Sequence, residues 1–278
     1  MLSSSFPKLF TAGLDCECGH FIPSLTSNSA FISVADTSVL GSDGGDDPAR
    51  ASLAIRSTIL AFQRAIGAPE HAPFPVIVAV HGHVIGLGVD LISACDIRYA
   101  ASNATFAIKV CIQFQMLYFQ IRWFLQEVDI GLAPDIGTLA YLPKITSNLS
   151  LARELTYTAR PFGAEEAEKL GLVSKVVSGG REEVVKEALE LAKVIASKSP
   201  YAVSSSKHLI THARDHSVPE NLLYTAVWNG AGIMTKVCIV SILAGFGADS
   251  TFQDIGENLR AIHKKENAQF QPLKLSKL

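Results

Sequence analysis

The pattern of apolar and polar residues is clearest at 75–96, where an apolar run, a glycine-rich turn and a carboxylate follow one another. The continuous apolar run at 76–80 predicts a buried strand, and 89–95 continue with helical character. Three glycines between them allow a tight turn and a close approach of the backbone to a ligand: Gly82, Gly86 and Gly88. Because backbone N–H groups collect at a helix start, this stretch predicts in outline a site for a negatively charged oxygen. An ordinary α/β connection without a ligand remains the alternative for this stretch, since neither the G-x-G-x-x-G spacing nor a Walker lysine is present.

Outside this stretch the pattern alternates between helical and strand-like segments. Ile55, Ile59, Phe62 and Ile66 share one face of a predicted helix over 49–66, which we expect to pack on the sheet. Short strands are predicted at 96–100, 105–109 and within 171–177, and further helices at 148–158, 164–170, 181–197, 201–213 and 219–228. Residues 23–50 are rich in Ser, Asp and Gly and predict a flexible loop.

Composition narrows the class of function. The 278 residues are 48% hydrophobic, which is ample for a sizeable core, and a net charge of −2 provides no basic stripe for nucleic acid. Five cysteines without framework spacing indicate free thiols and a reducing compartment. We expect no metal site, either at Cys16, Cys18 and His20 or at the three histidines spaced four apart, which favour a solvated helix face: His208, His212 and His216.

The two ends of the chain bear on its location. The first ten residues contain too short an apolar run for a signal peptide. The last three, Ser276, Lys277 and Leu278, form a peroxisomal import signal when they stand at a free C-terminus. We therefore expect a peroxisomal protein that binds the import receptor through these residues.

Several segments together resemble one family. Residues 81–100, HGHVIGLGVDLISACDIRYA, resemble the crotonase (enoyl-CoA hydratase/isomerase) family. Residues 127–145, EVDIGLAPDIGTLAYLPKI, and 213–229, ARDHSVPENLLYTAVWN, are similar to its dienoyl-CoA isomerase branch. The resemblance implies an α/β fold of crotonase type, a spiral of strand, strand and helix with a helical C-terminal region for trimer contacts. It also implies that the chain lacks the opening strands, so that a core at 1–198 is N-terminally shortened and a helical region occupies 199–278.

The resemblance further implies a site. The segment 10–15, FTAGLD, looks like the part that grips the pantetheine of CoA, with Ala12, Gly13, Asp15 and Gly86 in substrate binding and backbone N–H groups of Leu14 and Leu87 as the oxyanion hole. Glu127 and Asp135 look like a proton-transfer pair, and Asp90 like a third acidic residue in the pocket. As alternatives, Asp90 and Asp135 could be helix N-caps, and Glu127 a solvated charge.

Two segments interrupt the resemblance. Residues 110–126 and 237–253 each have seventeen residues, begin with Val-Cys and end with Gln. Val-Cys can be encoded by a splice donor and Gln by CAG, an acceptor, so we hypothesise that both are translated introns. Residues 110–126 are too short and too interrupted by polar residues to predict a membrane span, and a core or interface helix is the alternative for them.

Three functions stay open at this point. The first is isomerisation of 3,5-dienoyl-CoA to 2,4-dienoyl-CoA in a peroxisome, by a homotrimer or hexamer without a cofactor beyond the acyl-CoA substrate. The second is an enoyl-CoA hydratase. The aspartate at position 90 argues against it, because the family pattern has glutamate there. The third is a catalytically defective crotonase-fold protein.

Overall fold

A computed structural model describes residues 47–108, 133–233, 257, 260–262 and 264–270. The chain divides into two compact units. The larger unit contains the described residues of 47–72 and 76–189, and the smaller contains 73–75 and the described residues from 190 onward. The predictions for 1–46, for both inserts, for Glu127 and for the last three residues concern residues outside this described part.

The larger unit alternates strands and helices along the chain. Its elements are α1 (Pro48–Ile66), α2 (Ala68–His71), β1 (Ile77–Val80), β2 (His83–Ile85), α3 (Leu87–Ser93), β3 (Ile97–Ala101), β4 (Thr105–Ala107), α4 (Thr138–Ile145), α5 (Leu149–Thr158), β5 (Phe162–Gly163), α6 (Ala164–Leu170) and β6 (Lys175–Val177). Helix α7 (Arg181–Ala196) begins in this unit, and the smaller unit contains α8 (Pro200–Asp215) and α9 (Val218–Ile233).

Two small sheets form the frame of the larger unit. Strands β1, β3 and β6 pair in parallel in that order, with Ile77 opposite Ile97. Strand β2 runs parallel to β4, which pairs antiparallel with β5 so that Phe106 faces Phe162. All four residues of β1 are buried, as expected for a continuously apolar strand of a parallel sheet.

One hydrophobic core joins these sheets to the helices. The ring of Phe106 is fully buried and stacks on the ring of Phe162, with 5.5 Å between the centroids. Val84 of β2, Ile92 of α3 and Leu155 of α5 are also fully buried in the same cluster. Each such side chain stabilises the fold by about 1.5–3 kcal/mol relative to an exposed position. The core therefore fixes β2 and α3, the two elements on either side of Gly86.

The central prediction is confirmed in outline and wrong in one detail. The strand at 76–80 and the helix at 89–95 appear as β1 and α3, with α3 beginning earlier, at Leu87. The residues between them are not all turn, because His83–Ile85 form β2. The side chain of Val84 is completely buried there, so the glycines bracket a short strand rather than make one continuous turn.

The remaining elements follow the helical pattern closely. The predicted helices correspond to α1, α5, α6, α7, α8 and α9, with ends shifted by at most a few residues. Gly171 ends α6 as predicted, with φ +83° in the left-handed region that glycine adopts without strain. Helix α4 was expected only as the helix that Asp135 could cap, and its extent was not predicted because Pro143 argues against a helix in a sequence pattern. Strand β5 has only two residues and is too short to show a period.

Helix α1 corrects two expectations. Pro48 begins the helix and the Asp47 side chain accepts a hydrogen bond from the Ala49 N–H at 2.9 Å, so the predicted loop over 23–50 ends before residue 48. Ile55 is 40% exposed although it was expected to face the sheet, and Ile66 is the buried residue of the helix. The helix packs through its C-terminal end, which periodicity alone does not reveal.

In the smaller unit, His208 and His212 of α8, with His216 directly after it, form the predicted solvated face and also contact α9. His208 stacks on Trp228 of α9 at 4.0 Å between centroids, and His212 stacks on Tyr224 at 3.9 Å. The Nδ1 atom of His212 lies 2.7 Å from the side-chain oxygen of Asn221. His208 and His216 are nevertheless exposed and His212 is partly exposed, as expected for a solvated face, and the aromatic rings of α9 stack on His208 and His212 in addition.

Candidate active site

The connection from β2 to α3 depends on two glycines. Gly86 has φ +55° and ψ −112°, a backbone conformation that residues other than glycine rarely adopt. Its N–H donates to the Ala107 carbonyl oxygen at 2.9 Å, and its own carbonyl oxygen accepts from Val89 at 2.7 Å. A Cβ atom on Gly88 would lie 3.0 Å from Cγ1 of Val84, so the missing side chain lets α3 pack directly on β2.

Leu87 is the first residue of α3 and is partly exposed. The N–H groups of a first helical turn have no acceptor within their own helix. The geometry at Leu87 is therefore compatible with the predicted oxyanion donor. The second predicted donor, Leu14, lies outside the described residues, as do Ala12, Gly13 and Asp15.

Asp90 is a buried carboxyl group in the first turn of α3, with 7% of its surface exposed. Its Oδ1 atom accepts two hydrogen bonds from Thr138, one from the backbone N–H and one from the hydroxyl, each of 2.6 Å. Burial raises the pKa of Asp90 above its usual value, the bonds from Thr138 oppose this rise, and the nearby charge of Asp135 adds to it. Asp90 is not the N-cap of α3, a position held by Gly86.

Asp135 lies on the exposed approach to α4. Its carbonyl oxygen accepts a hydrogen bond of 2.6 Å from Nε2 of Gln63 on α1. It does not cap α4 either, since Gly137 occupies the N-cap position. Its carboxylate is close enough to Asp90 to disfavour a second negative charge there.

The segment that carries Asp135 has a further support. The hydroxyl of Tyr141 on α4 donates to Oε2 of Glu70 on α2 at 2.7 Å. A Cβ atom on Gly137 would lie 3.4 Å from the Tyr141 ring and 3.6 Å from Cβ of Asp90, so this backbone packs closely between them.

The structure thus places Gly86, Leu87 and Asp90 at the start of α3, with Asp135 three residues before α4 and its charge near Asp90. Glu127 lies outside the described residues, so its place in the proton-transfer pair stays a prediction. Sequence reasoning missed Thr138 and Gln63. A hydroxyl residue directly after a glycine at a helix start was the available signal for Thr138, and a glutamine on an amphipathic helix gave none.

Two other features, a metal site and a membrane-spanning helix, were sought in the described part of the chain. Within it, His, Cys, Asp and Glu side chains do not gather in groups of three or more that could hold a metal ion. The helices described are also not long and apolar enough to cross a membrane.

Comparison with known proteins identifies the family. Residues 53–226 match the family profile described as enoyl-CoA hydratase/isomerase. The chain is 46% identical over 200 residues to the human protein named mitochondrial Delta(3,5)-Delta(2,4)-dienoyl-CoA isomerase, covering 72% of this chain and 56% of that one. It is 40% identical over 216 residues to the peroxisomal Delta(3,5)-Delta(2,4)-dienoyl-CoA isomerase of Arabidopsis thaliana, covering 78% and 69%. The chain therefore spans just over half the length of the human relative that it matches.

Solved structures show the same fold. The crystal structure of an enoyl-CoA hydratase from Bacillus anthracis superposes with a TM-score of 0.60 at 26% identity, covering 81% of this chain and 72% of that one. The crystal structure of a putative enoyl-CoA hydratase from Streptomyces coelicolor gives a TM-score of 0.61 at 25% identity, covering 85% and 72%. With its strand–glycine–helix site, its α/β fold and a family match over residues 53–226, the chain belongs to the enoyl-CoA hydratase/isomerase, or crotonase, family.

Proposed function

We propose that the protein isomerises 3,5-dienoyl-CoA to 2,4-dienoyl-CoA. The observation that carries this proposal is the buried Asp90 beside the segment of Asp135, in a chain whose relatives are named dienoyl-CoA isomerases. A carboxyl group with a raised pKa next to a second carboxylate is typical of sites that move protons.

The reaction requires two proton transfers at separate carbons. Removing a proton from C2 of a 3,5-dienoyl thioester leaves an electron pair that spreads from the thioester oxygen to C6. Adding a proton at C6 then places the double bonds at C2 and C4, with atoms and charge conserved. Two acid/base groups on either side of the acyl chain perform this best, and no cofactor is needed.

Each role goes to a named group. Glu127 and Asp135, which are eight positions apart in the sequence, form the proton-transfer pair on either side of the acyl chain. The N–H groups of Leu14 and Leu87 stabilise the thioester oxygen as it becomes negative. Ala12, Gly13, Asp15 and Gly86 line the binding site, and Asp90 adds the third acidic group.

The cellular setting is part of the proposal. The terminal Ser276, Lys277 and Leu278 address the protein to peroxisomes through the import receptor. The Arabidopsis relative is named peroxisomal, whereas the human, rat and mouse relatives are named mitochondrial, so the tripeptide is what favours the peroxisome here. A homotrimer or hexamer is the assembly we propose.

Hydration of a 2-enoyl-CoA is the second candidate. It is favoured by relatives such as the short-chain-enoyl-CoA hydratase of Clostridium acetobutylicum, at 33% identity over 150 residues. Aspartate at position 90 and the higher identity to the isomerases oppose it.

The test is an incubation of the purified full chain with a 3,5-dienoyl-CoA. Isomerisation produces a conjugated 2,4-dienoyl thioester, and we expect its absorbance to increase with time. Loss of 2-enoyl-CoA absorbance through water addition, without isomerisation, would replace the proposal by the hydratase. Inactivity on both substrates, in protein shown to be folded, would favour a crotonase-fold protein without catalysis.

A further inference from the structure

Thr138 stands out because both of its polar donors bond to one atom. Its backbone N–H and its hydroxyl each reach Oδ1 of Asp90 at 2.6 Å. Thr138 is 2% exposed and Asp90 is 7% exposed, so water does not compete freely for these bonds. Two donors on one oxygen restrict the rotation of the carboxyl group and thereby set the direction of its other oxygen, Oδ2.

Thr138 is also the point where two parts of the site meet. It lies three residues after Asp135 and begins α4, while Asp90 belongs to α3. The segment of Asp135 is held from the other side by Gln63 on α1, through the Asp135 carbonyl oxygen. Thr138 is thus the hydrogen-bonded link between the helix that carries Asp90 and the segment that carries Asp135.

We propose that Thr138 is a positioning residue, which sets the orientation of the Asp90 carboxyl group and its placement relative to Asp135. The catalytic consequence rests on the proposed function, whereas the effect on Asp90 itself does not. Acid/base groups work when they are held close to the productive geometry, and a displacement of about 1 Å can cost about a hundredfold in rate.

The hydroxyl also acts on the proton affinity of Asp90. A donor to the carboxylate favours the charged form, and the Thr138 hydroxyl is the largest influence that lowers the pKa of Asp90. Its removal should therefore raise that pKa further. A residue with a purely structural role elsewhere in the fold would not produce this shift.

The experiment compares Thr138→Val, Thr138→Ala and Thr138→Ser with a matched control, Thr156→Val. Thr156 is buried as well, and its hydroxyl donates at 2.8 Å to the Ala152 carbonyl oxygen within α5, outside the site. Valine and alanine remove the hydroxyl and keep the backbone N–H, whereas serine keeps both donors. Circular dichroism and thermal unfolding establish which variants fold.

The first readout does not depend on activity. Carbon-13 NMR follows the Asp90 carboxyl carbon through a pH titration, with Asp90→Asn identifying the signal. We expect the Asp90 titration to move to higher pH in Thr138→Val and Thr138→Ala, and to stay near the parent in Thr138→Ser and Thr156→Val. An unchanged titration in the folded valine or alanine variant overturns the proposal, even if the protein proves not to be an isomerase.

The second readout is steady-state isomerase kinetics. We expect Thr138→Val to lower kcat by about tenfold to a hundredfold while KM changes by less than about threefold, and Thr138→Ser to recover kcat to within about threefold of the parent. A kcat of the valine variant equal to that of Thr156→Val would contradict a role in positioning. If Thr138→Val does not fold, Thr138→Ala decides by the same two readouts. Absence of activity in the parent contradicts the proposed function and leaves the titration as the test of the link.

Discussion

Replacing Asp90 by asparagine tests whether the charge of buried Asp90 lowers the stability of the fold while it serves the reaction. The variant keeps an oxygen that can accept from Thr138 but removes the negative charge. Hydrogen bonds to charged acceptors contribute about 1.5–3 kcal/mol each and neutral ones about 0.5–1.5 kcal/mol, so the two Thr138 bonds weaken by about 2–3 kcal/mol in total. A second effect acts in the opposite direction: the variant no longer has to keep an ionised carboxylate in buried surroundings, which is unfavourable.

The second effect is the larger one in this structure. Burial raises the pKa of Asp90 in spite of the two bonds, so the folded protein favours the neutral carboxyl more than the unfolded chain does. A raised folded pKa means that the parent loses stability as pH rises from the usual value of 3.8 through the folded pKa. Asparagine does not titrate, so the free energy of unfolding of the variant should increase relative to that of the parent as pH rises above the usual Asp pKa of 3.8.

The assay is urea denaturation of parent and Asp90→Asn at several pH values, combined with isomerase kinetics. We expect the variant to be at least as stable as the parent near pH 7 and to lose about tenfold or more in turnover. Asp96→Asn is the matched control, because Oδ2 of Asp96 also accepts a backbone N–H, that of Val76 at 2.7 Å, but at the exposed start of β3. A variant that loses stability relative to the parent as pH rises would refute the reasoning, since ionised Asp90 would then stabilise the fold.

Four further outcomes are expected. Asp135→Asn keeps the side-chain size and removes the titratable proton, so turnover should fall about a hundredfold or more, and a loss of less than about threefold would reject its role. Gly88→Ala places a Cβ 3.0 Å from a methyl of Val84, so urea unfolding should show a loss of about 1–3 kcal/mol, and an unchanged midpoint would mean that α3 can move away. A fluorescent protein ending in the last three residues should enter peroxisomes, and a diffuse cytosolic signal would contradict the address. Sequencing the transcript should show that most molecules lack both seventeen-codon inserts, and a message that contains them in most copies would end the intron hypothesis.

The glycine-rich stretch shows how far the sequence alone could predict the site. The apolar run of β1 and the helical character of α3 are local properties, and both were predicted. Strand β2 was missed because its existence depends on pairing with β4, twenty-two residues away at His83 and Thr105. A strand of three residues is too short to show a periodic pattern, and it is stabilised by pairing with a neighbouring strand rather than by intrinsic propensity.

The contacts around Asp90 show the corresponding limit for side chains. The family resemblance identified Asp90 and Asp135, and the structure places Asp90 in the first turn of α3 and Asp135 three residues before α4. The resemblance could not indicate that Thr138, forty-eight residues from Asp90, donates both hydrogen bonds to Oδ1 of Asp90. Gln63 is seventy-two residues from Asp135 and likewise carries no local signal. Long-range polar contacts of this kind are products of the tertiary fold, and periodicity reports only which face of an element is apolar.

The most direct measurement of the central claim is isomerisation of a 3,5-dienoyl-CoA in deuterium oxide, with NMR of the product. If two separate carboxyl groups act, the proton taken from C2 and the proton delivered to C6 belong to different groups that exchange with solvent between turnovers. The account therefore predicts a 2,4-dienoyl-CoA that carries deuterium at C6. A product with only hydrogen at C6, transferred from C2 of the same molecule, or a product formed by addition of water, would contradict it.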